Sequence, residues 1–246
     1  VTRTGHISFA LMRLLLLGAF PYPHHQGSQV YFQEQAIALR AAGADVSLLT
    51  YASAAPTSSE VSPTESGGLT RRAPKSWRAI DGFEHWTSPQ WTSPTSLRSG
   101  PNWSKPLGDL GLVMTLRDAV ASSSIDDAYD AIMTHNAEAA LIALHGLPKP
   151  RPPIVYCVHT LLGNELSAYL RGPQRQGILD FFRTTDGSGR LARSLDRAGD
   201  RIDRWIAKRV DGWLSLTHSS GRVMRQVSNT PGAIIPPAVP DPTFSY

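Results

Sequence analysis

Histidines at the ends of apolar segments and one glycine-bearing loop are the residues of this 246-residue sequence whose types and spacing could do chemistry. Cys157 and His159 lie two apart in Pro153-Ile-Val-Tyr-Cys-Val-His-Thr160. That spacing puts both on one strand face and raises a cysteine–histidine nucleophile pair. Side chains of one strand face run parallel, and Cys157 is flanked by Tyr156 and Val158 as a core residue would be, so the pair is set aside. His159, at the C-terminal end of the segment beside Thr160, is the better site candidate, against the plainer reading of a core histidine bonded to backbone. His135-Asn136 and Thr217-His218 also stand at the ends of apolar segments, so three histidine-bearing strands are expected to meet at one sheet edge. In the loop at residues 21–28, Gly27 would let backbone approach a phosphate or sugar closely, with Ser28 beside it. The plainer alternative gives Gly27 to the turn and Ser28 to a helix N-cap. Tyr22, His24 and His25 are polar-tipped rings suited to a sugar or phosphate, or simply exposed.

The elements that must position these residues follow from the apolar pattern. Residues 14–20 form an unbroken apolar run, as expected of a parallel strand covered on both faces. A helix at 29–42, ended by Gly43 as a C-cap, and a second strand at 45–51 complete a βαβ unit. The loop at 21–28 then joins the C-terminal end of a central strand to a helix N-terminus, where open α/β sheets bind ligands and free N–H groups favour an anion. Further strands are expected at 69–73, 82–87, 131–135, 153–160, 210–216 and 233–236, with helices at 109–122, 137–144, 161–170, 190–209 and 219–227. Residues 52–106 are rich in Ser, Thr and Pro, hold four of the six tryptophans, and read as inserted loops or a small extra sheet. The fold class is α/β: a Rossmann-like, doubly wound, mostly parallel sheet.

Composition bounds the function. Twenty-four Lys and Arg against twenty Asp and Glu give a formal charge of +4, and Gly and Pro usage is ordinary, which excludes collagenous or wholly disordered chains. No nucleic-acid partner is expected. A single cysteine cannot form an internal disulfide, so a reducing, cytoplasmic location is expected. The run at 14–20 falls far short of the ~20 residues of a membrane span. Arg13 and the leucines after it resemble a short leader, yet no small-residue cleavage site follows. Residues 1–11 read as an extension, with Met12 as the natural start of the folded part.

The motifs of P-loop kinases, zincins, thioredoxin-like enzymes and α/β-hydrolases are absent. Gly187-Ser-Gly-Arg-Leu-Ala192 matches a dinucleotide pattern formally but follows no central strand, and reads as a turn before a helix. A nicotinamide-dependent oxidoreductase is disfavoured because the first loop has one glycine and Tyr51 stands where an acidic ribose ligand belongs. On the long helix at 190–209, Arg190, Arg193, Arg197, Arg201, Arg204 and Lys208 share one face. This is either a basic surface for an anionic membrane or, the reading taken here, a solvated face paired with Asp196, Asp200 and Asp203.

The ordered series Gly18-Ala-Phe-Pro-Tyr-Pro-His-His-Gln-Gly-Ser28, Ala41-Ala-Gly-Ala-Asp-Val-Ser-Leu-Leu-Thr50, Ser99-Gly-Pro-Asn-Trp-Ser-Lys-Pro106, Val158-His-Thr-Leu-Leu-Gly-Asn-Glu165, Leu216-Thr-His-Ser-Ser220 and Ile234-Ile-Pro-Pro-Ala238 resembles the N-terminal, acceptor-binding domain of family-four GT-B glycosyltransferases. The resemblance spans about residues 12–240, with 241–246 as the start of a linker or tail. It implies retaining transfer of a sugar from a nucleotide-sugar, used as substrate with no cofactor or metal, between two Rossmann-like domains. By resemblance His159 contacts the reacting sugar, and Gly27 and Ser28 face the donor phosphate or sugar. Tyr22, His24, His25, Lys105, Asn164 and Glu165 then line the acceptor side, with His135, Asn136, Thr160 and His218 behind them. The donor-binding domain's E-x7-E motif is absent: no glutamate here has another eight positions on. The expectation is an acceptor-binding half that needs a donor-binding domain, partner chain or homo-oligomer for activity. A non-catalytic carbohydrate-binding or scaffold module is the alternative.

Overall fold

The computed structural model describes residues 12–23, 27–52, 77–80, 82–93, 105–123, 127–165 and 189–237. Strands β1 (Arg13–Pro21), β2 (Asp45–Tyr51), β3 (Trp77–Ile80), β4 (Phe83–Thr87), β5 (Ala131–His135), β6 (Ile154–Val158), β7 (Gly212–Ser215) and β8 (Gly232–Ile234) form one sheet. Its order is β3-β4-β2-β1-β5-β6-β7-β8. Every neighbouring pair is parallel except the edge hairpin β3–β4, which turns at Gly82 with φ +76°.

The apolar run of β1 works by alternation. Leu15 and Leu17 enter one core, Leu14 and Leu16 the other, and all four are buried. The first core is covered by helices α2 (Lys105–Ser122), α3 (Asn136–Gly146), α4 (Gly189–Ala207) and α5 (His218–Val227). On the second face α1 (Gly27–Ala41) packs through Phe32 and Ala36. The α1 stop is a Schellman motif: Gly43 N–H bonds the Arg40 carbonyl and Ala44 N–H the Leu39 carbonyl, with Gly43 at φ +96°.

Strand order reverses between β1 and β5, so the crevice above the C-terminal ends of these strands is flanked by the segments after β1 and after β5. Three expectations change in detail. Helix α1 begins at Gly27, so Ser28 lies in its first turn and is not its N-cap. Helix α2 begins four residues earlier than expected, because Pro106 is tolerated in a first turn where its missing N–H costs nothing. β6 ends at Val158, leaving His159 just beyond the strand. The expected strand at 69–73 and most of the helix at 161–170 lie outside the described residues, as do His24 and His25.

Candidate functional site

β5 and β6 pair in parallel with His135 opposite Cys157, which sets His159 one strand step further along. There the His159 ring turns back over β5, and its Nε2 lies 3.0 Å from His135 Nδ1. The two ring centroids are 5.2 Å apart. Tyr31, one turn into α1, stands edge-on to His159 at 5.2 Å, and Phe32 edge-on to His135 at 4.8 Å. Helical side chains point back toward the helix N-terminus, which carries Tyr31 to the crevice. Burial drives His159 down to about 4, and burial, then its neighbour His159, holds His135 well below the ordinary imidazole value. Both rings are neutral at pH 7.

Gly27 opens α1 at the rim of the crevice. A methyl group added there would meet nothing within 4 Å, and its φ is not left-handed. By contrast, a Cβ on Gly18 would strike the Phe20 ring at 2.4 Å. Among the described residues, neither packing nor backbone strain demands a glycine at 27. Asn136, following His135, adopts φ +72°, a left-handed conformation that Asn tolerates better than most residues.

A second polar group sits where α2 and α3 begin. Lys105 Nζ is 2.6 Å from Glu138 Oε1, and the Tyr51 hydroxyl donates to Asp109. Burial raises the Asp109 carboxyl, only partly offset by Tyr51 and Lys105. For Glu138 burial acts in the same sense, yet Lys105 outweighs it and holds the group below the usual carboxylate range.

The turn after His159 is tied down from below. Thr160 Oγ1 donates to Glu165 Oε2 at 3.1 Å, and Asp203, buried on α4, accepts the Gly163 N–H at 3.1 Å. Gly199 of α4 lies against Gly163 so closely that a Cβ on it would be 2.5 Å from the Gly163 backbone.

The structure thus joins His135 and His159, with Gly27, Ser28 and Asn136 around the crevice. Tyr22 instead turns inward: its ring is 1% exposed, edge-on to Phe32 and His85. His218 is exposed in the first turn of α5, one strand away, with no hydrogen bond or ring contact to His135 or His159. Asn164 is exposed on the turn. Cys157 is buried beside Gln35, its thiol pushed up to about 12 by burial, which agrees with setting the nucleophile pair aside. Sequence reasoning missed Tyr31, Tyr51, Asp109 and Glu138. The spacing of Tyr31 from Gly27, one turn on, was the signal that could have found the first.

The long helix departs from its expected pairing over its second half. Asp203 and Asp200 face the turn at 162–163, whereas Arg197, Arg201, Arg204 and Lys208 are exposed and form no ion pair among the described residues. No group of His, Cys, Asp and Glu among the described residues could hold a metal, and no described helix is long and apolar enough to cross a membrane. A cavity of about 590 Å³ opens at the other end of the sheet, before β6, where Arg117 and Arg151 line it. Arg117 is bonded to the Gly146 carbonyl and Arg151 to Asp211, and His145, which also lines the cavity, has Nδ1 2.9 Å from the Leu141 carbonyl.

A doubly wound sheet with two paired imidazoles and a helix N-terminus at its switch point fits the N-terminal domain of a GT-B glycosyltransferase. The family model described as "Glycosyl transferase 4-like domain" matches residues 26–238, and the chain belongs to that family. Among solved structures, the chain is similar to sucrose-phosphate synthase from Thermosynechococcus elongatus, in two forms. Against one, the TM-score is 0.52 at 12% identity, covering 93% of this chain and 91% of the other. Against the longer form, it is 0.54 at 12% identity, covering 93% and 48%, so the present chain spans about half of that molecule. These likenesses show the fold. Comparison with curated proteins returns no match.

Proposed function

We propose that this chain is the acceptor-binding half of a retaining glycosyltransferase that moves a sugar from a nucleotide-sugar to an acceptor. The donor-binding half is a further domain, a partner chain or a second copy. In the reaction the bond from the sugar's anomeric carbon to the diphosphate breaks, a bond to the acceptor oxygen forms, and the acceptor's proton leaves with the diphosphate. On this side of the cleft, His159 hydrogen-bonds the transferred sugar, and the positive end of the α1 dipole favours negative charge developing on the leaving group. Lys105, Asn164 and Glu165 bear on the acceptor.

The observation that carries the reading is Gly27: it stands at a helix N-terminus in the switch-point crevice, where nothing among the described residues requires the absence of a side chain. Replacement by Val fills that space. In the enzyme completed with its donor half, Gly27→Val lowers sugar transfer at least tenfold while the melting temperature of the chain stays within a few degrees. Unchanged transfer would remove Gly27 from the site.

The membrane is the proposed surface partner, through the exposed stripe Arg197, Arg201, Arg204 and Lys208, which forms no ion pair among the described residues. About 1 kcal/mol per basic residue near an anionic surface is enough for salt-sensitive peripheral binding at a cytoplasmic face.

A further inference from the structure

We infer that His135 fixes the tautomer of His159, holding that ring with its proton on Nδ1, so that the crevice is offered a neutral N–H donor rather than a ring acceptor. The 3.0 Å contact between His135 Nδ1 and His159 Nε2 has one proton between two nitrogens. Either His135 Nδ1–H donates, leaving His135 Nε2 bare, or His159 Nε2–H donates and the His135 proton moves to its own Nε2. That second nitrogen is buried and has no hydrogen-bond partner among the described residues.

The two arrangements differ in what is left unmade. The first buries an unused lone pair; the second buries an unused N–H. Orphaned buried N–H groups are the rarer case in folded proteins. Around His135 stand the Phe32 ring at 4.8 Å and the tilted Tyr31 ring at 6.1 Å, and the Tyr31 hydroxyl makes no hydrogen bond to His135 Nε2. An N–H against a ring face recovers only a fraction of a hydrogen bond. The first arrangement is therefore favoured, and since the bond made by one ring nitrogen sets the protonation of the other, His159 carries its proton on Nδ1. Burial keeps both rings neutral, so the doubly protonated form, which would donate from every nitrogen, is not the resting state. Tyr31, edge-on to His159, holds the ring in place for this role.

The consequence is chemical. An Nδ1–H donor recognises an oxygen with a free lone pair, such as a sugar hydroxyl or a phosphoryl oxygen, and that nitrogen cannot take a proton from an incoming hydroxyl. His135 is accordingly a positioning residue acting through His159. Only the naming of a sugar oxygen as the receiver rests on the proposed function; the tautomer is a property of the chain alone.

Long-range nitrogen-15 NMR of the ring signals of the 246-residue chain at pH 7 tests this. The expected spectrum has His159 Nδ1 of protonated type and Nε2 of unprotonated type. His135→Asn, whose amide can donate from near the Nδ1 position, keeps that pattern, and His135→Leu shifts His159 toward the Nε2–H form. A wild-type spectrum with the proton on Nε2, or no change in His135→Leu, would overturn the inference. If His135→Leu does not fold, the wild-type spectrum decides. Sugar transfer unaffected by loss of His159 would refute the functional reading and leave the tautomer result standing.

Discussion

Replacing His159 by Gln should flatten the dependence of stability on pH. The folded His159 titrates at about 4, against about 6.5 for an unfolded histidine, so between these values the unfolded chain binds the extra proton. Stability is full above pH 6.5, falls as pH drops through 6.5 toward 4, and loses nothing further to this group below 4. From pH 7 to pH 5 the linked loss is about 2 kcal/mol, an upper figure because part of the ring still meets solvent. Glutamine keeps a hydrogen-bonding group near the Nε2 position but does not titrate. The buried carboxylates Asp109 and Asp203 titrate in both proteins and cancel in the comparison, and burial, the larger cause of the His135 shift, keeps that ring depressed in both. Urea denaturation at pH 7 and pH 5 measures it. With a slope of about 2 kcal/mol per molar urea, the wild-type midpoint should fall about 1 M more than that of His159→Gln. Equal falls would show that His159 is not held neutral by burial, and the argument from the paired rings would lose its electrostatic support.

Other perturbations test neighbouring parts of the account. Gly199→Ala should cost about 1–3 kcal/mol through overlap with Gly163, and should speed hydrogen exchange of the Gly163 amide, as read by NMR. Asp203→Ala should destabilise the chain by about 1–3 kcal/mol by orphaning the buried Gly163 N–H, with thermal denaturation as the check. Cys157 should resist a thiol reagent in the folded chain at pH 8 and react fully in denaturant, since it is buried with a thiol raised to about 12. Liposomes of anionic lipid should bind the wild type at low salt and release it at high salt, and changing Arg197, Arg201 and Arg204 to Glu should abolish binding. Binding that survives the triple change would place the contact elsewhere.

Local signals made the frame of this fold legible and left the site contacts unseen. The unbroken run of β1 announced a strand covered on both faces, and Gly43 announced the end of α1, because both are decided within a few residues. The start of α2 was placed late, at 109, although Pro106 and Gly108 both fall within the helix as it forms. β3 was not foreseen in its Ser- and Pro-rich setting, because its pairing with β4 is settled by the hairpin and not by its own composition. The arginine stripe was expected to find aspartates at helical spacing, yet Asp203 gains more by satisfying a buried backbone N–H than by an exposed ion pair. Tyr22 looked like a loop ring and is a core ring, and Tyr31, not singled out in the sequence, faces His159. The His135–His159 contact depends on the register of β5 against β6, which no local pattern encodes.

Release of free nucleotide from a panel of UDP-, GDP- and ADP-sugars, measured with the purified chain alone and again with a donor-binding half supplied in trans or by fusion, tests the central claim most directly. The account predicts no release by the chain alone, and release in the completed enzyme that falls at least tenfold when His159 is replaced by Ala. Turnover by the chain alone, or transfer in the completed enzyme that His159→Ala leaves unchanged, would contradict it.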